Sequence, residues 1–392
     1  MTRILTDMGQ EISYLTFSCP HSASGVGQCP DPGALEQFDA TCGYPVERIR
    51  VPPLGLDRWN TLVGLSWRLR FSWNLVRAIQ RKRPEYVIVN NWAFMSAVCC
   101  LAGRVLRIPV IVTVHHVNWD VGPRIRGRLR RAIVSFHLKF AEVNACVSES
   151  TASDVVQWTL PDRVKTTVIP NAIDLVPLDA WRQDADSTDE GLSVLRGLGF
   201  SGGNGPIIFT VARLVEYKGI QWVIRALPRI LEEFPDARYV VAGDGPFKAE
   251  LEETVKAALS SEQRDAVTFL GFVSTSEKFA LYNACDMFAM PSTVEGFGIV
   301  YSEAGAFGKP SIGCDVMGVP EAIAHEQTGL LVPPNDSDAV AEAILRLLRD
   351  DGERERMGAA ARKRVELMGT WEDRARQYQQ LIEGVTRKRR KR

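Results

Sequence analysis

Short apolar runs alternate with longer segments of helical periodicity along nearly the whole chain, and polar, glycine-bearing turns separate them. This is the pattern of parallel strands buried on both faces and covered by helices. In the first half, the runs Glu11–Phe17, Val46–Val51, Tyr86–Asn90, Val110–Val114 and Glu142–Val147 predict strands, with helices near 60–82, 94–106 and 124–140. A polar, glycine-rich passage from about Asp179 to Pro206 interrupts the alternation. It then resumes with strands at Ile207–Ala212, Arg238–Ala242, Val267–Leu270, Asp286–Met290, Ser311–Gly313 and Gly329–Val332, and Trp371–Val385 predicts a closing helix. The expected fold class is α/β, two doubly wound Rossmann-like domains facing across a cleft. The expected divisions are a first domain over 1–175, a linker over 176–206, a second domain over 207–370, a helix over 371–386 and a basic tail over 387–392.

One stretch carries most of the candidate chemistry. Glu295-Gly296-Phe297-Gly298 stands between the apolar run Cys285–Pro291 and the helical segment Ile299–Phe307, and Glu303 lies eight positions after Glu295. Glycines at a strand-to-helix junction let the backbone approach a ligand, and the first N–H groups of the helix can receive a phosphate. Ile299 and Glu303 are separated by about 6 Å of helical rise, so the two acids could grip hydroxyls on either side of a diphosphate. A nucleotide sugar has that layout. Arg213 and Lys218 follow the strand Ile207–Ala212 and precede another helix, where both cations could hold the diphosphate; the plainer reading is a solvated pair on a loop.

The run Pro291–Asp336 (PSTVEGFGIVYSEAGAFGKPSIGCDVMGVPEAIAHEQTGLLVPPND) resembles the signature of retaining GT-B-type glycosyltransferases, the glycosyltransferase group 1 or family 4 proteins. Further blocks agree: Val168–Asp174 (VIPNAID), Val211–Gly219 (VARLVEYKG), Val241–Pro246 (VAGDGP) and Phe269–Gly271. The resemblance is close over the last 220 residues or so and looser before them.

It implies transfer of a hexose-type sugar from a nucleoside-diphosphate sugar with retention at the anomeric carbon. It assigns Arg213 and Lys218 to the diphosphate, which would let the enzyme work without a metal or other cofactor. Glu303 would take the ribose hydroxyls, and Glu295 with the Phe297-Gly298 backbone the hydroxyls of the donor sugar. His115, after the strand Val110–Val114, would contact the transferred sugar; His116 beside it would point to the opposite side if the strand continued. Gly318, in a loop that usually reads Gly-Gly-x-Pro-Glu, would offer its N–H to the distal phosphate, although Met317 replaces the first glycine. The implied acceptor is a glycan or a lipid-linked molecule, and the final helix is implied to cross back onto the first domain.

At the N-terminus the chain departs from the family pattern. Met1–Phe17 matches the end of the family's first helix and its second strand, so that the first strand and its Gly-rich loop are absent, or else Thr2–Leu5 is itself a short first strand. Two other readings of the function stay open: a homologue that binds nucleotide sugar without transferring it, and an epimerase or phosphorylase on the same architecture.

Composition changes this picture in a few respects. With 392 residues, 45% hydrophobic and 24% charged, the chain has core enough for two domains. Its zero formal net charge hides an asymmetry, because residues 1–170 hold 20 Lys/Arg against 13 Asp/Glu and the remainder 27 against 34. The basic half should face something anionic. Arg124, Arg126, Arg128, Arg130 and Arg131, interleaved with apolar positions, read either as a helix lying on an anionic membrane or as a charged surface helix. The final Arg387–Arg392 run lacks aromatic interleaving, and no specific nucleic-acid partner is expected.

Eight cysteines without a Cys-x-x-Cys pair fit reduced thiols in a cytoplasmic protein, peripheral on the inner membrane face if the basic segment binds lipid. His21, His115 and His116 lack the spaced partners of a metal site, and no metal is expected. Trp92–Gly103 is too short to span a bilayer and predicts a buried helix.

Overall fold

A computed structural model of the chain describes residues 14–18, 46–50, 62–90, 93–117, 135–159, 164–183, 197 and 205–390. Two compact units emerge, one formed by residues 1–171 with 371–392 and the other by 172–370.

In the first unit, strands β1 (Tyr14–Ser18) and β2 (Val46–Arg50) form a parallel pair. Helix α1 (Leu62–Lys82) and helix α2 (Ala93–Leu106) flank β3 (Val87–Asn90) in sequence. A second parallel sheet runs in the order β3, β4 (Val110–Val114), β5 (Val143–Cys146), β6 (Thr166–Val168), with α3 (Glu149–Trp158) joining the last two. Strand alternation decides what each face holds. Val110, Val112 and Val114 turn toward Leu75 and Ile79 of α1, Cys99 and Cys100 of α2, and Val155 of α3. Ile111 turns the other way, with Val143, Ala145 and Ile169.

The chain's last helix covers that second face. Ala375, Tyr378, Ile382 and Val385, spaced along one stripe, are all buried against Ile111 and Val143, and the Tyr378 hydroxyl lies 3.0 Å from Thr113 Oγ1. The helix runs over Trp371–Arg390, so residues 387–390, expected as a tail, continue it.

The second unit begins with a helix rather than a linker. α4 (Leu175–Gln183) buries Leu178 in the core, which corrects the expectation of a linker from 176 onward; one deeply buried leucine in nine residues leaves little periodicity to read. Six parallel strands follow: β7 (Ile207–Val211), β8 (Arg238–Ala242), β9 (Val267–Gly271), β10 (Met287–Ala289), β11 (Ser311–Cys314) and β12 (Gly329–Val332). Their order across the sheet is β12-β11-β10-β7-β8-β9. Strand β10 is shorter than the run Asp286–Met290 because Cys285 caps the preceding helix and the Asp286 carboxylate accepts from the Ile207 N–H at 2.7 Å.

Helix α5 (Ile220–Glu233), α6 (Lys248–Ala258) and α10 (Ser337–Arg349) pack on one face of the sheet, where Ile208, Tyr239, Val241, Met287 and Ala289 point. Helix α7 (Thr275–Ala284), α8 (Ile299–Ala306), the short α9 (Val319–Ala322) and α11 (Asp351–Leu367) cover the other, lined by Phe209, Val240, Phe288 and Met290. Connections leaving β7 proceed to one side of the sheet and those after β9 return to the other, so the order reverses between β7 and β10. In a doubly wound sheet that reversal opens a crevice at the carboxyl ends of the two strands.

No described helix is long and apolar enough to cross a membrane. The Arg124–Arg131 segment and Thr2–Leu5 lie outside the described residues. If the closing helix anchors the first unit as its burial implies, Ile382→Ala should cost about 2–5 kcal/mol. A urea titration that finds an unchanged midpoint would contradict that role.

Candidate functional site

Two segments leave the six-stranded sheet of the second unit at its reversal, one after β7 and one after β10. The first passes Arg213, buries Leu214, closes a 3₁₀ turn at Glu216–Lys218 and enters α5 through Gly219. Gly219 sits in the left-handed region at φ +77, and a Cβ there would stand 2.0 Å from the Pro291 carbonyl oxygen. Only glycine allows this approach. It brings the second segment alongside: the Thr293 N–H donates to the Tyr217 carbonyl at 2.8 Å, and Ser292 Oγ donates to the same carbonyl at 2.9 Å.

The two loops meet in an ion pair. Lys218 Nζ donates to Glu295 Oε2 at 2.5 Å, with 18% and 17% of the side chains exposed. A pair this shielded is screened far less than a surface pair and leaves a costly charge when either partner is lost. Lys218 also lies 5.7 Å from the Tyr217 ring centroid. Arg213 is exposed and makes no ion pair among the described residues. The Tyr217 phenol has its pKa raised chiefly by burial, with the positive charge of Arg213 lowering it and the negative charge of Glu295 raising it.

Beyond Glu295, Gly298 takes φ +84 and opens α8 with no side-chain cap. A Cβ at Gly298 would collide with the Tyr301 ring, whose hydroxyl donates to the Met290 carbonyl at 2.6 Å and ties the helix to the end of β10. Phe297 is buried, so its side chain is an anchor and only its backbone can face a ligand. The amino end of α8, with the positive end of its dipole, therefore follows closely on the Lys218–Glu295 pair.

Gly318 has a different task from the one expected of it. Its N–H donates to the Glu295 carbonyl at 3.1 Å, which occupies the donor expected to face a phosphate. A Cβ at Gly318 would come within 1.9 Å of the Gly296 carbonyl oxygen, so this glycine locks two loops together. Met317 before it holds φ +48, a left-handed conformation that favours the glycine the family pattern has there.

Glu303 is not a free helical acid. Lys278 Nζ donates to its Oε1 at 2.7 Å and the Tyr282 hydroxyl to its Oε2 at 3.0 Å. Burial and the neighbouring carboxylate push the Tyr282 pKa well above its usual value, so the phenol keeps its proton and donates. A carboxylate has about four acceptor positions, so one remains on each oxygen, a match for two adjacent hydroxyls. Lys278 and Tyr282 were absent from the sequence-based site. The signal for them was their i,i+4 spacing on α7, which opens with a Ser274/Glu277 capping box.

His115 belongs to the first unit. Strand β4 ends at Val114, so strand alternation does not extend to 115 and 116 and does not separate the two histidines. His115 is exposed as a residue, and desolvation, then the neighbouring His116, lowers its pKa below the ordinary histidine value.

The sequence matches the family described as Glycosyl transferases group 1 over residues 199–364, and a Glycosyl transferase 4-like domain over 1–172. An uncharacterized glycosyltransferase of Methanocaldococcus jannaschii is 35% identical over 59% of this chain and 57% of its own length. The GDP-mannose-dependent alpha-(1-6)-phosphatidylinositol monomannoside mannosyltransferase of Mycobacterium tuberculosis is 33% identical over 69% of this chain and 68% of its own. Among solved structures, HepE of Anabaena in complex with UDP-glucose superimposes with a TM-score of 0.72 at 20% identity, covering 95% of this chain and 99% of that one. The fold is of the GT-B type. The chain belongs to the group 1 glycosyl transferases.

Replacing Lys278 by Met should weaken nucleoside diphosphate binding by about 1–2 kcal/mol, because the Glu303 carboxylate loses a charged donor. Lys278→Arg should restore most of it. Unchanged affinity in calorimetric titration of Lys278→Met would remove Lys278 from the site.

Proposed function

We propose that this protein moves a hexose-type sugar from a nucleoside-diphosphate sugar to a glycan or lipid-linked acceptor, with retention of anomeric configuration. The observation that carries the reading is the Lys218–Glu295 pair at the ends of β7 and β10, beside the exposed Arg213. The diphosphate occupies the notch between these cations and the amino end of α8. Glu303, oriented by Lys278 and Tyr282, takes the ribose hydroxyls, and Glu295 takes hydroxyls of the sugar once phosphate competes for Lys218.

Cleavage of the glycosidic bond leaves growing negative charge on the distal phosphate. Arg213 and Lys218 are placed to lower that barrier, since fixed cations help only where charge develops. They supply the charge a divalent ion would bring, and the proposed reaction is metal-independent. His115 is assigned to the transferred sugar, and the departing diphosphate guides the acceptor onto the face it leaves. Two similar proteins support a hexosyl donor by their own descriptions, one GDP-mannose-dependent and the other bound to UDP-glucose. The first is by its name a mannosyltransferase of a phosphatidylinositol monomannoside, which supports a lipid-linked acceptor.

Thermal shifts with a panel of uridine and guanosine diphosphate sugars identify the donor. With that donor, Glu303→Ala should raise KM, whereas Arg213→Ala should mainly lower kcat, by about 10²–10³-fold. Wild-type-like kinetics in both would reject the assignment. Turnover in excess EDTA should be undiminished, and an EDTA-sensitive rate restored by a divalent ion would overturn the metal-independent mechanism. Proton NMR of the product gives the anomeric configuration.

A further inference from the structure

The outer face of the first unit's helical layer has no part in the chemistry above, and its composition is one-sided. Helices α1 and α2 and residues 135–140 lie on the same face of the four-stranded sheet, because Leu75, Ile79, Cys99, Cys100 and Leu138 all enter one core with Val110, Val112 and Val114. Positions opposite those buried residues must point outward from that layer. On α1 they include Leu69, 66% exposed, and Trp73, 61% exposed; on α2 they include Leu101 and Val105, 55% and 74% exposed. A soluble surface rarely gathers large apolar side chains in this way without a partner.

Cations surround them. From Leu62 to Arg107 the sequence has eight Arg or Lys and a single acid, Glu85. Arg70, Arg77, Arg104 and Arg107 are exposed. The Arg77 guanidinium lies 5.4 Å from the Trp73 ring centroid, and the Arg104 guanidinium 5.2 Å from that of Phe140. Charge and apolar surface are thus interleaved side chain by side chain. On α3, at the border of the layer, Glu149 and Asp154 limit the patch.

We propose that this α1–α2 face docks on an anionic lipid bilayer, with Trp73, Leu69, Leu101 and Val105 entering the headgroup boundary and the arginines facing lipid phosphates. The chemistry selects that occupant. Arginine beside tryptophan suits the level where acyl chains meet headgroups. A nucleic acid would use the cations but leave the aliphatic side chains in water. The inference stands apart from the transfer reaction, since it is read by vesicle binding and not by turnover.

The full chain should sediment with phosphatidylcholine vesicles containing phosphatidylglycerol and not with phosphatidylcholine alone, and binding should weaken as salt rises. Each arginine removed should weaken it by roughly fivefold, so the combined change of Arg70, Arg77 and Arg104 to Gln should lower it about a hundredfold. Trp73→Ser with Leu69→Ser should also weaken binding while leaving its dependence on anionic lipid. Circular dichroism and donor titration should be unaltered in both variants, which removes misfolding as the cause. Equal vesicle binding by wild type and the arginine variant, no binding to anionic vesicles, or displacement from vesicles by polyuridylate would each overturn the proposal.

Discussion

The close approach of two loops at the reversal of the six-stranded sheet is the constraint on which the candidate site depends. Adjacent parallel strands must part there, because the helix after β7 and the helix after β10 pack on opposite faces. The gap would admit solvent if the loops stood apart. Gly219 lets the backbone after β7 press on the Pro291 carbonyl, and Gly318 lets a third loop press on Gly296. Lys218 and Glu295 then meet as a shielded pair just before the uncapped amino end of α8, while Arg213 stays exposed after β7. A part-buried charge pair and the positive end of a helix dipole meet at that point.

Much of this was legible in the sequence because burial on both faces writes a strand as an unbroken apolar run. The runs Val110–Val114, Ile207–Ala212 and Arg238–Ala242 translate almost residue for residue into strands. The Glu295–Gly298 stretch was legible for another reason: glycines between a strand and a helix mark a backbone conformation, and Gly298 indeed takes a positive φ.

What escaped notice depended on distance along the chain or on weak patterning. Lys278 and Tyr282 reach Glu303 from another helix, and nothing local to Glu303 announces them. Gly318 was assigned from a pattern of neighbours, yet its N–H is taken by the Glu295 carbonyl, a contact set by tertiary packing. Residues 176–183 read as linker because a nine-residue helix with one deeply buried leucine carries little periodicity. The closing helix outran its expected end since Arg387 and Lys388 prolong it without any apolar signal. In the first unit that helix seals one sheet face, leaving the opposite helical layer to present arginines around Trp73.

The central claim is that the sheet reversal in the second unit is a nucleotide-sugar diphosphate site. A crystal structure of the protein with its nucleoside diphosphate tests it most directly. The account predicts phosphate oxygens within about 3 Å of Arg213 and Lys218 and the ribose diol on Glu303. A nucleotide bound elsewhere, with Lys218 and Glu295 still paired and Arg213 in solvent, would contradict it.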